Sequence, residues 1–271
     1  MSSTVIVVPC YNEGRRLATG RFLEFLGRHR AVRFLFIDDG SGDDTRDVLH
    51  RLRERAGEGV GVLALPRNQG KAEAVRQGCL AAFAGGADQI GYWDADLATP
   101  LDTIPDFLEV LDRRPRVELV CGARVQLLGR SIRRSRLRHV LGRVFATAAS
   151  WTLGLPVYDT QCGAKLFRAS PALRAVFAEP FLTRWLLDVE ILARLIAAGR
   201  AGLVADAAEV VYELPLPRWC DVAGSKVRPS DFPRAMLELV TIYRRYLRPG
   251  AWAPIPYAEP AAPVASQRRA A

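Results

Sequence analysis

An open, doubly wound, mostly parallel α/β sheet is the fold that the sequence predicts, on three observations. Apolar, β-branched runs alternate with helical patterns through the first hundred residues. Each of the first four runs ends in a polar loop rich in carboxylates. The length, 271 residues, suits a single large α/β domain with an ample core.

The elements follow in order. Thr4–Val8, Phe34–Ile37, Val60–Leu65 and Gln89–Trp93 read as parallel strands buried on both faces. Helical patterns at Gly14–Arg28, Asp43–Arg55 and Lys71–Ala84 fill the intervals, which makes right-handed βαβ units. A helix around Thr103–Arg113 leads to a fifth strand at Glu118–Cys121. The second half is less regular. It holds a helix at about Thr183–Ala198, short strands near Leu203–Ala205 and Glu209–Leu214, and an amphipathic helix over Ser230–Tyr246. From Pro249 onward Pro and Ala dominate, and residues 249–271 read as a disordered tail.

Composition narrows the class. Subtracting 29 acidic from 38 basic residues leaves +9, and all the basic residues but Lys71, Lys165 and Lys226 are arginine. An arginine excess of this kind also follows from a GC-rich genome, so bulk charge says little about partners. Five cysteines without a CxxC pair argue against a disulfide scaffold and a zinc ribbon, and favour a reducing, cytoplasmic compartment. No signal peptide and no apolar run of membrane-spanning length is present in this sequence. A soluble or peripheral protein is expected.

In an open α/β sheet the ligand crevice lies at the carboxyl ends of the strands. Here those ends carry Pro9-Cys10-Tyr11-Asn12-Glu13, Asp38-Asp39-Gly40-Ser41, Arg67-Asn68-Gln69-Gly70-Lys71 and Asp94-Ala95-Asp96. Carboxylates this dense repel one another unless a cation or hydrogen-bond donors sit among them. Two carboxylates one residue apart, as in Asp94-Ala95-Asp96, can share a hard divalent cation and leave its other positions to water and phosphate. Lys71 opens a helix, so its ammonium and the helix N-terminus can both face an anion. No GxxxxGK[ST] is present and no GxGxxG follows the first strand, which excludes a P-loop and a dinucleotide fingerprint. Three histidines leave little for a His-based metal centre or a serine triad.

These loops carry a resemblance. VIVVPCYNE, FLFIDDGSGDDT, RNQGKAEAVRQG and YWDADLATP are similar to successive signatures of glycosyltransferase family 2, which has the GT-A fold. DTQCGAKLF (159–167), RWLLDVEIL (184–192) and RWCDVAGSK (218–226) resemble its polyprenyl-phosphate branch, that of the dolichyl-phosphate β-glucosyltransferases and their bacterial relatives. The resemblance spans residues 4 to 230, and all three lysines fall inside its motifs. It implies one GT-A domain over 1–248, with a nucleotide-sugar half (1–100) and an acceptor half (101–248).

What the resemblance implies for chemistry is a UDP-sugar donor, Mg²⁺ or Mn²⁺, and inversion at the anomeric carbon. The sugar would be a hexose or N-acetylhexosamine. Pro9, Tyr11, Glu13 and Asp39 would hold the uridine and Lys71 would near the nucleotide. Asp94 would approach the ribose or the metal through water, and Asp96 would ligate the metal that bridges the diphosphate. On a helix, Asp188 and Glu190 point in different directions, so at most one faces the site. The family pattern puts the aspartate near the acceptor and makes Asp188 the candidate general base, a role that an already ionised phosphate acceptor would not need. Arg124, Arg133, Arg134, Asp159, Gln161, Lys165 and Trp185 are expected around the sugar and acceptor. Trp185 and Trp219 read equally as stacking platforms or core, and Cys162 as a packed residue rather than a nucleophile.

Arg124 to Arg143 holds seven arginines and no acid, and Leu141–Trp151 beyond it is largely apolar. Such an element suits peripheral contact with a membrane through residues 124–151, or a solvated helix face. Nucleic acid is not expected, since no aromatics interleave the arginines. Many relatives in the branch carry membrane anchors that this sequence does not show. The resemblance makes polyprenyl phosphate the leading acceptor, and the departure at the anchors points to the alternative, a soluble small-molecule or carrier-bound acceptor. A non-catalytic nucleotide- or anion-binding domain is the remaining reading.

Overall fold

The computed structural model describes residues 3–133, 136–222 and 232–251. In strand β1 (Thr4–Cys10), Ile6, Val7 and Val8 are wholly buried, so both faces of the strand need cover. β2 (Val32–Asp38), β3 (Val60–Ala64) and β4 (Gln89–Trp93) join it in parallel, in the spatial order β3-β2-β1-β4. Helices α1 (Thr19–Arg28), α2 (Thr45–Ala56), α3 (Lys71–Ala84) and α4 (Ile104–Arg113) connect or follow them. α1, α2 and α4 pack Phe22, Phe25, Leu49, Leu52, Ile104 and Phe107 on one face. α3 packs Val75 and Cys79 on the other.

The chain then runs through β5 (Leu119–Ala123), β6 (Ser131–Arg133), α5 (Arg136–Leu153), β7 (Ala164–Arg168), α6 (Pro171–Ala178) and α7 (Leu187–Arg200). α8 (Ala207–Val210), β8 (Val211–Pro215), β9 (Arg218–Cys220) and α9 (Phe232–Ile242) follow, and a π-helical turn (Tyr243–Leu247) extends α9. The full sheet order is β3-β2-β1-β4-β7-β5-β8, with β7 antiparallel to both its neighbours. α7 is buried on nearly all sides beneath the sheet, and it takes three charged residues, Asp188, Glu190 and Arg194, into the interior with it. β6 and β9 pair as a separate ribbon.

Four local readings are corrected. α1 starts at Thr19 rather than Gly14, because the Glu13 carbonyl accepts from the Arg16 and Leu17 amides and closes a turn first. β7 and α6 are additional elements. β7 is five residues long with Lys165 and Arg168 inside it, so it lacks an apolar run, whereas α6 carries a legible start in its Ser170 cap and Pro171. Leu203–Ala205 is not a strand: Leu203 N–H bonds back to the Ala198 carbonyl in the turn that ends α7. The first residues of Glu209–Leu214 belong to α8, capped by Asp206, and the strand begins at Val211. Arg134, Gly224–Lys226 and the tail from 252 onward lie outside the described residues.

Candidate active site

The four parallel strands end on one edge of the sheet, and their loops are tied to one another before any ligand arrives. Asn12, at φ +54°, donates its N–H to Ser41 Oγ (3.0 Å), and its side-chain oxygen accepts from Gly42 N–H (2.9 Å). Asp39 accepts from the amides of Gln69 (2.7 Å) and Gly70 (2.8 Å), joining the second loop to the third. Burial pushes the Asp39 carboxyl up, and those two donors oppose the rise. Gly40 (φ +64°) lets the two loops touch, since a β-carbon there would overlap the Arg67 backbone. Pro9 is half-buried at the end of β1, and Tyr11 stands exposed at the rim. The buried Glu13 takes both Arg16 donors, at 2.6 and 3.0 Å.

Lys71, the first residue of α3, reaches across to Asp94 (2.5 Å). Desolvation would lower its ammonium, but the charges of Asp94 and Asp188 more than offset this and raise it. The Asp94 carboxylate lies so close over Gly163 that any β-carbon there would collide with it, which ties β4's end to the start of β7. Asp96 faces outward from a turn in which Leu97 adopts φ +54°. A left-handed leucine costs roughly 1–2 kcal/mol, so the turn holds Asp96 in place against local preference. Desolvation raises the Asp96 carboxyl, with Asp94 and Glu13 adding to the effect and Lys71 and the Ala98 amide opposing it.

Among the described residues no three or more His, Cys, Asp or Glu side chains form a cage for a metal ion. The donor set nevertheless suits one: Asp96, crowded by like charge and all-oxygen, fits a hard cation that takes its remaining ligands from phosphate and water. Asp96 would hold it, with Asp94 beside it.

Below this layer lies a buried ionic group. Asp188, in the first turn of α7, accepts from Lys165 Nζ (2.5 Å) and from the Tyr92 hydroxyl. Lys165 is fully buried and also donates to the Cys162 carbonyl (2.9 Å). Burial would lower its ammonium, but Asp188 more than offsets this and keeps it charged. Burial and Asp188 together push the Tyr92 phenol well up. Asp188 is thus an ion-paired carboxylate. Glu190 points away from it, paired at full burial with Arg194 (2.8 Å).

On the acceptor side Arg124 turns inward rather than toward ligand. It grips Asp159 with Nε (2.6 Å), an η-nitrogen (2.8 Å) and its own backbone N–H (3.0 Å). Burial would raise the Asp159 carboxyl, yet Arg124 brings it down to about 2. Trp219 lies under the same guanidinium, 5.1 Å from the ring centre, so it packs against Arg124. Among the described residues the Gln161 amide nitrogen and the Thr160 hydroxyl are buried without a hydrogen-bond partner, and Trp185 is exposed on the loop before α7. Burial lifts the Cys162 thiol to about 11, which fits a packed residue. Arg133 lies in β6, and its side chain, like Arg134, is outside the described residues. Along α5, Val140, Val144 and Trp151 expose one continuous face, Trp151 by 82%. Among the described residues no helix is long and apolar enough to cross a membrane.

Sequence reasoning singled out neither Tyr92 nor Arg184. Tyr92 sits one position before Trp93, and strand alternation turns it to the opposite face, toward α7; that signal was available. Arg184 sits next to Trp185, and the signal for it is in the fold alone.

A doubly wound sheet with one antiparallel strand inserted beside an acidic strand-end cleft is the GT-A glycosyltransferase architecture. Residues 5–173 match the family model for glycosyl transferase family 2, and the chain belongs to that family. Mouse dolichyl-phosphate beta-glucosyltransferase is 31% identical over 262 residues, 91% of this chain and 76% of that one. The Drosophila melanogaster protein of the same name is 32% identical over 266 residues, with 91% and 76% coverage. Among solved structures, glucosyl-3-phosphoglycerate synthase from Mycobacterium tuberculosis with Mn²⁺ and UDP-glucose aligns at a TM-score of 0.63 and 17% identity, over 89% of this chain and 77% of that one.

Proposed function

We propose that this glycosyltransferase is a metal-dependent, inverting glucosyltransferase that moves glucose from UDP-glucose to a polyprenyl phosphate at a membrane surface. The observation that carries the reading is the cleft at the ends of β2, β3 and β4, where Lys71 pairs with Asp94 beside Asp96 and Asp39 braces the loop that leads into Lys71. The dolichyl-phosphate beta-glucosyltransferases that match over most of the chain support glucose and a lipid phosphate. The UDP-glucose and Mn²⁺ bound by a fold neighbour support the donor and the metal.

In this reading Pro9, Tyr11, Glu13 and Asp39 hold the uridine, and Lys71 exchanges part of its Asp94 contact for the diphosphate. Asp96 would hold the divalent cation, which when bound would supply Lewis acidity toward the departing UDP. A phosphate oxygen of the acceptor attacks the anomeric carbon from the face opposite UDP. The new C–O bond forms as the bond to the β-phosphate oxygen breaks, and configuration inverts. The acceptor phosphate is already ionised, so no proton has to leave it. This accounts for a site without a free base: Asp188 positions Lys165 and Tyr92 below the sugar. The unpartnered Gln161 amide and Thr160 hydroxyl are donors for the sugar or the acceptor. Arg133 and Arg134 supply charge for the acceptor phosphate, while Arg124 and Asp159 brace the pocket wall. The exposed face of α5, with Trp151 at its end, is the surface for peripheral lipid contact.

The test is transfer of radiolabel from UDP-glucose to polyprenyl phosphate in vesicles, compared with UDP-N-acetylglucosamine and GDP-mannose as donors and with soluble phosphorylated acceptors. Label is expected in the lipid phase from UDP-glucose, lost with chelator. Transfer to soluble acceptors alone would overturn the lipid reading, and preference for another donor would overturn glucose.

A further inference from the structure

We infer that Arg184 is the residue that reads the base of the nucleotide donor, held in place by a buried hub centred on Glu190. The inference deepens the proposed function and rests on its UDP-sugar donor.

The hub comes first. Glu190 is fully buried, and its carboxylate accepts five hydrogen bonds. Oε1 takes the Leu182 amide (3.0 Å), Arg194 (2.8 Å) and the Tyr246 hydroxyl (2.8 Å). Oε2 takes the Thr183 amide and hydroxyl, both at 2.9 Å. Arg194, equally buried, donates to the carbonyls of Val176 (2.8 Å), Glu179 (2.8 Å) and Pro180 (2.6 Å). A buried ion pair is poor value as stabilisation, because desolvation cancels most of the attraction. This one instead specifies a shape, since besides joining each other its two members tie α7 to residues 176–183 and to the π-helical turn after α9.

That shape ends at Arg184. Thr183 and Leu186 are each 2% exposed and clamp a two-residue step on which Arg184 and Trp185 stand exposed. The Arg184 guanidinium lies against Gly70, with Nε 3.6 Å from where a β-carbon of Gly70 would sit, and its charge acts on Asp39 to lower it. It makes no ion pair or hydrogen bond of its own among the described residues. A cationic donor therefore stands beside an acceptor carboxylate, on the Asp39 side of the third loop and away from the Lys71–Asp94 pair. Uracil presents an N–H flanked by two carbonyl oxygens. Asp39 accepts from that N–H, and Arg184 donates to the O4 carbonyl, the position that carries the amino group in cytosine. Cytosine presents a bare ring nitrogen to the carboxylate and an amino group to the guanidinium, and both contacts turn repulsive. A missing or reversed hydrogen bond to a charged group changes affinity by roughly tenfold or more.

The experiment is calorimetric titration of the full chain with UDP, CDP and inorganic pyrophosphate in Mn²⁺, for wild type, Arg184→Ala, Arg184→Lys and Tyr246→Phe. We expect Arg184→Ala to weaken UDP roughly tenfold, to leave pyrophosphate unchanged and to reduce the preference for UDP over CDP to the part that Asp39 supplies. Arg184→Lys should restore part of it. Tyr246→Phe, which removes one hub bond 56 positions from Glu190 in sequence, should lower the same preference with a cooperative thermal transition retained. An unchanged UDP-to-CDP ratio in Arg184→Ala overturns the inference while leaving the proposed function standing. Equal losses for UDP, CDP and pyrophosphate overturn it too, by assigning Arg184 to the diphosphate. An unchanged ratio in Tyr246→Phe overturns the hub's part. A wild-type chain that binds no uridine nucleotide refutes the functional reading and the inference with it.

Discussion

Replacing Asp159 by asparagine gives a direct measure of how the acceptor half is held together. Arg124 holds the Asp159 carboxyl down from an ordinary 3.8 to about 2, against a burial cost that acts the other way. Each pH unit of such lowering corresponds to about 1.4 kcal/mol, so the pair links roughly 2 kcal/mol of stability to pH. A depressed folded value means the contribution is complete above about pH 4 and disappears as pH falls through 2. Asp159→Asn should cost more than this at neutral pH, about 3–5 kcal/mol, because it strands a buried guanidinium. The double change Arg124→Met with Asp159→Asn should regain most of that loss. Urea unfolding followed by tryptophan fluorescence at pH 7, 5, 4, 3 and 2.5 reads all three proteins. The gap between wild type and Asp159→Asn should be flat from pH 7 to 5 and then close by roughly 2 kcal/mol toward pH 2. A gap that stays constant down to pH 2.5 would show that the carboxylate is not charge-paired as described.

Asp96→Ala should abolish metal-dependent UDP binding, read as loss of the difference between Mn²⁺ and chelator in calorimetry; binding that still responds to metal would move the ion elsewhere. Trp151→Asp alters a side chain 82% exposed, so thermal stability should hold while co-sedimentation with anionic vesicles falls several-fold. Unchanged sedimentation would remove α5 from the membrane face.

How far the sequence was legible depended on what each segment answers to. β1 to β4 and α3 were readable because their periodicity is set by a sheet buried on both sides; α3 and β4 begin and end at the residues expected. The polar loops were readable for the same reason, since strand ends in such a sheet define one edge. β7 was not. Its second residue is a buried lysine whose charge is satisfied by Asp188, 23 positions away, and no local pattern announces that pairing. Arg124 resisted for a related reason. An arginine in a run of seven reads as solvated or ligand-facing, and only the fold brings Asp159 to it, 35 positions on. The Asp94-Ala95-Asp96 triplet was legible as a motif, but Lys71 reaching across to Asp94 depends on how α3 abuts β4.

The scarcity of lysine carries the last prediction. In a chain with three lysines among 38 basic residues, Lys71 and Lys165 each meet a site carboxylate at 2.5 Å. An ammonium is a compact point charge, whereas a guanidinium is a wide planar fork that needs acceptors on two sides. Lys165 has room only for the former. It is fully buried, with Nζ bounded by Asp188, the Cys162 carbonyl and the face of Tyr92, 5.6 Å from the ring centre. Lys165→Arg keeps the charge but overfills the space, and overpacking a core costs about 1–3 kcal/mol. We expect it to lower the unfolding midpoint and to cut kcat by displacing Asp188 and Tyr92. The reverse exchange at exposed Arg113, which pairs only with its helix neighbour Glu109 among the described residues, should change neither. If Lys165→Arg were as silent as Arg113→Lys, lysine at that site would reflect ancestry rather than geometry, and the buried pair would have no part in positioning the site.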